Sequence, residues 1–209
     1  SPYGLASDHE HIYVCDGTKV QVHTLAGDFV REWGVGGAGP GEFSGLKGID
    51  VDDSHVYVSE TGNDRIQKFT KTGAFLVAWG GNGGLPGQFA DPYDVAVDRT
   101  NVYVADKRNK RIQVFTKDGV HVRMWDLDIP ELWGRTTTGH NGEPHQGPFA
   151  IAVDTSDVFV GIGQKIWSYG WVARVQAYNK TGELVWEHTK THARATPEED
   201  PTYGEPFSY

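Results

Sequence analysis

Apolar and polar residues alternate in short runs along most of this chain. Asp94-Val95-Ala96-Val97-Asp98 changes side at every residue, which predicts a strand with one face buried. Val102-Tyr103-Val104-Ala105-Asp106 and Arg111-Ile112-Gln113-Val114-Phe115 follow, rich in strand-favouring residues. Val120 to Trp125 supplies a fourth run. The breaks between runs are turn chemistry. They are Arg99-Thr100-Asn101, the polar stretch from Lys107 to Lys110, and Thr116-Lys117-Asp118-Gly119, where Gly accommodates a positive φ. Residues 89–125 thus predict four antiparallel strands, each of about five residues.

The same sentence recurs. Ile12-Tyr13-Val14-Cys15-Asp16 and Val56-Tyr57-Val58-Ser59-Glu60 match the second strand, and Val158-Phe159-Val160-Gly161 is a looser fourth copy. Trp33, Trp79 and Trp125 close three copies at steps of 46 residues, and Trp186 closes the fourth, 61 residues on. Several short strands per period of this length predict an all-β propeller. Four four-stranded antiparallel blades are recognisable, at about residues 1–41, 42–87, 88–147 and 148–190, with 191–209 leading toward a next blade. One such sheet cannot cover its own apolar faces, so blade must cover blade.

The third copy is similar to an NHL repeat. The resemblance rests on Gly87-Gln88-Phe89, Pro92-Tyr93-Asp94-Val95-Ala96-Val97-Asp98, Asn109-Lys110-Arg111-Ile112-Gln113-Val114-Phe115 and Gly119. Gly41-Glu42-Phe43, Asn63-Asp64-Arg65-Ile66-Gln67-Lys68-Phe69 and Gly73 carry it in the second copy. Thr18-Lys19-Val20-Gln21-Val22 and Ala173-Arg174-Val175-Gln176-Ala177-Tyr178 are looser counterparts. The resemblance implies the propeller fold but no single function, since the family holds protein-binding, RNA-binding and some enzymatic members.

Each closely matched copy ends its second strand on a carboxylate and begins its third on arginine. Glu60 with Arg65, and Asp106 with Arg111, read as structural pairs clamping the loop between them. In the fourth copy Gly161 is read at the carboxylate position.

Chemistry is expected where the repeat is broken. Extra length falls in residues 126–148, in 163–171 and in a tail at 187–209. In an up-and-down blade these segments emerge on one face. They bring Trp133, His140, His145, Trp167, Tyr169 and Trp171 to a candidate binding face for protein or glycan. Trp167, Tyr169 and Trp171 equally suit packing over the propeller mouth. His140 and His145 are weak candidates for a metal such as zinc or calcium, because no third ligand is given by any spacing. The alternative function is therefore a metal-dependent lyase or hydrolase with its site at the mouth. No nucleophile elbow or phosphate-cradling loop is present in the sequence.

Composition changes this picture little. The net charge of −9 opposes general nucleic-acid binding, and Lys107 to Arg111 is one basic loop on an acidic chain. No apolar run is long enough to span a membrane. Cys15, alone, predicts a buried inert thiol. Asn179-Lys180-Thr181 is a glycosylation sequence on a turn, which tilts the expectation toward an extracellular setting. There is no initiator Met or signal peptide, which reads as a processed, excised or incomplete chain. Tyr209 leads into Ser1 in repeat phase. A closed four-blade ring, a piece of a larger ring, and an array continuing into further copies all fit. The expectation is a non-enzymatic binding or assembly scaffold, with protein partners or further copies of itself.

Overall fold

In the computed structural model the described residues are 2–129, 147–166 and 170–193. They fold as four sheets of four consecutive antiparallel strands, arranged as a four-blade β-propeller. Blade one comprises β1 (Pro2–Ser7), β2 (His11–Asp16), β3 (Lys19–Thr24) and β4 (Phe29–Trp33). A two-stranded parallel connector, β5 (Val35–Gly36) with β6 (Glu42–Phe43), leads on. Blade two comprises β7 (Leu46–Val51), β8 (His55–Glu60), β9 (Arg65–Thr70) and β10 (Phe75–Gly80). Blade three comprises β11 (Pro92–Val97), β12 (Asn101–Asp106), β13 (Arg111–Thr116) and β14 (His121–Asp126). Blade four comprises β15 (Gly147–Val153), β16 (Asp157–Ile166), β17 (Gly170–Asn179) and β18 (Leu184–Ala193). Among the described residues there is no helix, and no strand from one end joins the sheet of the other.

Alternation in the strands translates into three filled cores, one at each junction between blades. Ala6, Tyr13, Cys15, Val20 and Val22 of blade one meet Ile49, Val56, Val58 and Phe69 of blade two. Tyr57 and Ile66 meet Val95, Val102, Val104 and Phe115. Ala96, Tyr103, Ala105, Ile112 and Val114 meet Ile151, Val158, Val160, Ile162 and Tyr178. Residues facing one way on a strand thus belong to one core, and their neighbours to the next. Cys15 is fully buried in the first core, where desolvation pushes its thiol up, as expected of an inert thiol.

Tryptophan seals the rim of each junction. Trp33 lies on Gly73, Trp79 on Gly119 and Trp125 on Gly182, each glycine sitting in the β3–β4-type hairpin of the following blade. These glycines have φ near +90° (92°, 83° and 95°), and a Cβ on any of them would fall 2.7–2.8 Å from the indole. Gly27 is the counterpart in blade one, with φ +94°, and nothing lies within 4 Å of its Cβ position.

Blade four departs from the sequence expectation in three ways. Residues 163–166 and 170–171 are strand rather than part of an inserted loop. β16 and β17 continue their pairing out to Ile166 opposite Gly170, and β18 follows as far as Ala193 opposite Gly170. The extra length is used to lengthen the sheet, because backbone groups on all three strands find partners by continuing the ladder. Residues 187–193 likewise belong to β18 rather than to an irregular tail. The register also differs. His188 stands opposite Val175 as Trp33 stands opposite Val20 and Trp125 opposite Ile112, so Trp186 sits two residues before the rim position. Finally, Ile162 pairs with Arg174 as Asp106 pairs with Arg111, so Ile162, not Gly161, replaces the carboxylate.

A paired substitution tests the rim. Gly27→Ala and Gly119→Ala impose the same backbone strain, but only the second adds overpacking against an indole. Urea unfolding should show Gly119→Ala the more destabilised, by about 1–3 kcal/mol. Equal losses would remove the Trp–Gly contacts from the account.

Candidate functional site

The polar residues of the repeat are held by the fold itself. Arg111 Nε donates to Asp106 Oδ2 at 2.7 Å, its Nη1 to Gly84 O, and its Nη2 to Leu85 O and Gln88 O. Asn109 and Gln113 donate to the same carboxylate and to Gly83 O and Gln88 O, while Ala90 N donates to Asp106 Oδ1. Glu60, Asn63, Arg65 and Gln67 repeat the arrangement in blade two, with Arg65 Nε at 2.6 Å from Glu60 Oε1 and its Nη groups on Ala38 O, Gly39 O and Glu42 O. Each node ties the connector between blades to the following sheet. Burial raises the Asp106 carboxyl, opposed by its hydrogen bonds to Ala90, Asn109 and Arg111. Blades one and four build the node differently, from the fourth strand. Gln21 and Lys19 reach Glu32, and Gln176 and Arg174 reach Glu187. Arg111→Ala leaves the fully buried Asp106 without its cation, and should cost about 3 kcal/mol or more in thermal or urea unfolding. A stability within ~0.5 kcal/mol of wild type would contradict a structural role.

A second polar device crosses each filled junction. Asp8, Asp52 and Asp98 close the turn after the first strand, each through Oδ1 accepting two backbone N–H groups. Oδ2 then accepts the hydroxyl of the tyrosine five residues on, Tyr13, Tyr57 or Tyr103, at 2.9–3.1 Å. It also accepts a lysine from the following blade's hairpin. Lys71 reaches Asp8 at 2.7 Å, Lys117 reaches Asp52 at 2.6 Å and Lys180 reaches Asp98 at 2.9 Å. Burial opposes these charges, yet Lys117 and the backbone donors hold Asp52 at about 2, and the donors to Asp98 hold it at about 2. A cation from the outgoing blade often reaches the same hairpin. Arg31 donates to Lys71 O and Lys68 to Lys117 O.

At the ends of the array the cores are half-built. Leu5 corresponds to Ile49, Val95 and Ile151, which are 4%, 2% and 8% exposed, yet Leu5 is 69% exposed. On the opposite flank Val175 corresponds to the fully buried Val20, Ile66 and Ile112 and is 42% exposed. Leu25 and Trp186 are exposed as well. The two flanks therefore leave uncovered the apolar surface that three junctions bury.

The first strands of the four blades surround a central cavity of about 590 Å³, lined by Tyr3, Lys47, Asp50, Tyr93, Asp94 and Phe149 among others. Its two carboxylates stitch blade to blade. Asp50 Oδ2 accepts Val97 N at 2.7 Å and Asp94 Oδ2 accepts Ile151 N at 2.9 Å. Lys47 Nζ lies 3.4 Å from the centre of the Tyr3 ring. Burial pushes Asp94 up to about 6 and raises Asp50. Folding therefore takes up a proton at Asp94 between its ordinary 3.8 and about 6. The stability linked to that proton is complete below the lower value and is lost as pH rises through the upper one. Denaturation of the wild type from pH 4 to 6.5 should show this decline, and Asp94→Asn should flatten it. An unchanged slope in the variant would assign the dependence elsewhere.

With this geometry in hand, the comparisons bear on the fold. A comparison with curated proteins gave no match. Residues 89–115, blade three, match the NHL repeat. Solved structures with a similar fold include a streptogramin B lyase, at 15% identity and TM-score 0.56, covering 90% of this chain and 68% of that one. A nidogen/laminin complex aligns at 14% identity and TM-score 0.59, covering 90% of this chain and 63% of that one. A Myxococcus xanthus glutaminyl cyclase aligns at 16% identity and TM-score 0.52, covering 92% and 73%. This chain thus spans roughly two thirds of the length of these propellers. At such identities the similarity carries the fold alone.

The structure brings Glu60 to Arg65 and Asp106 to Arg111, the latter pair within the residues that match the NHL repeat. Of the candidate binding face, Trp133, His140, His145, Trp167 and Tyr169 lie outside the described residues. Trp171 is on β17, opposite Lys165 and His192. Among the described residues no group of three or more His, Cys, Asp or Glu is placed to hold a metal. Asn179 caps its hairpin, its Oδ1 accepting from Thr181 and Glu183 N and its Nδ2 donating to Glu183 Oε2 at 2.7 Å. No described helix is long and apolar enough to cross a membrane. The lysine–aspartate–tyrosine device went unread in the sequence, although Asp, Tyr five residues later and a turn Lys recur in phase.

Proposed function

We infer that this NHL-type propeller is a non-enzymatic protein-binding scaffold whose docking surfaces include the flanks of its end blades. The observation that carries this reading is the contrast between Leu5 and its three buried counterparts, mirrored by Val175 on the opposite flank. A sheet face built for a core is complementary to protein, and its exposure to water is unfavourable by about 25 cal/mol per Å². In the blades where chemistry is visible, the buried carboxylates and cations are engaged in holding connectors and junctions, which supports a scaffold over a catalyst. One similar fold was solved within a nidogen/laminin complex, a protein assembly.

A photo-reactive residue placed at 186 tests this reading directly. In an extract of the native source it should cross-link to protein, while the same residue at exposed Asp53, away from the flanks, should not. Labelling that is absent at 186, or equal at both positions, would overturn the reading.

A further inference from the structure

The three filled junctions define what each flank is built to receive, and the two end flanks have changed together. At a filled junction the outgoing blade offers a tyrosine hydroxyl, Tyr13, Tyr57 or Tyr103, and the incoming hairpin offers Lys71, Lys117 or Lys180. On blade four the tyrosine position is Phe159, paired with Ala177 as Tyr103 is paired with Val114. On blade one the lysine position is Leu25, two residues before Gly27 as Lys71 is before Gly73. A third position is apolar on blade four, as it already is at Val77 of blade two. Arg31, which donates to Lys71 O, is replaced in register by Trp186, whose ring lies 6.3 Å from that of Phe159. Two polar contacts found at every filled junction, the tyrosine hydroxyl and the lysine, thus have apolar residues in their places, one on each flank, while Asp154 keeps the turn carboxylate. A flank that merely faced water would favour the polar residues.

Resting on the scaffold reading above, the geometry points to a second copy of this chain as the occupant of the flank. The outgoing face of blade four receives the incoming face of blade one of the next molecule. The filled junctions supply the template. Lys180 Nζ lies 4.9 Å from the centre of the Tyr103 ring, which places Leu25 over Phe159. Arg31 touches the backbone of Lys71, which places Trp186 against Leu25. Gly27, with open space at its Cβ position, leaves room for His188 where the other glycines receive tryptophan. Leu5 then meets the flank that exposes Val175. Within one chain these surfaces stay apart, since Leu5, Leu25, Val175 and Trp186 are all exposed. The contact is head-to-tail, so it repeats from copy to copy in a ring or a filament.

Leu25→Cys and Trp186→Cys variants test this. Cys15 is fully buried and does not compete for reagent. Mixed in equal amounts and treated with a short bis-maleimide, the two should form a cross-linked dimer of the 23.0 kDa chain, and neither alone should. In sedimentation, Trp186→Glu should weaken self-association at least ~10-fold, as for loss of an aromatic hot spot. Two results would overturn the proposal. One is a wild-type chain that remains monomeric in sedimentation at every concentration. The other is a double variant that cross-links within one chain, which would mean the ring closes on itself. If the wild type stays monomeric while a photo-reactive residue at 186 still captures another protein, self-docking is wrong and the scaffold reading stands.

Discussion

Everything in this molecule depends on each sheet being covered by the next one. A four-stranded sheet of such short strands has two apolar faces and cannot fold either of them inward. Its stability is therefore a property of the junction. The core residues divide accordingly, with Tyr103 and Ile112 belonging to the junction ahead of blade three and Val95 and Val104 to the junction behind it. The polar devices are subordinate to this. The arginine nodes hold the connectors before blades two and three, and the lysine–aspartate–tyrosine clamps fasten the turns at each filled junction. The tryptophan on glycine closes the rim.

The same constraint explains what is unusual at the ends. Leu5 and Val175 are core residues without a core. Among the described residues three junctions are filled for four blades, so one face of each end blade has no partner sheet. What does not follow from that count is the loss of Tyr and Lys together at Phe159 and Leu25, with Trp186 beside Phe159. One replacement removes a hydroxyl and the other a charge, which makes the two flanks more apolar where the filled junctions are polar.

Much of the fold was legible in the sequence because a strand's alternation and a turn's glycine are local signals. Residues 89–125 yielded their four strands for this reason, and the spacing of Trp33, Trp79 and Trp125 fixed the repeat. Blade four was misread because Trp186 attracts the alignment, while the hairpin glycine Gly182 lies only four residues before it instead of six. Counting from the glycine puts His188 at the rim. Long strands at β16 to β18 were hidden by Gly163 and Gly170, which read locally as loop. The pairs Glu60–Arg65 and Asp106–Arg111 were visible because five residues separate the partners. The clamp was not, since Lys180 and Asp98 are 82 residues apart and meet only when blades stack. The proposed docking flanks were invisible for the same reason. Exposure of Leu5 is a fact about a missing neighbour, which no local pattern records.

Amide hydrogen exchange, followed strand by strand at low and high protein concentration, tests the central claim most directly. If junctions set stability, β8 and β12, covered on both sides, should exchange more slowly than their counterparts β2 and β16 in the end blades. Protection of β1 and β17 should then rise with concentration as flanks become covered. Uniform protection across all four blades, independent of concentration, would show that the end flanks are already covered within one chain and would contradict the account.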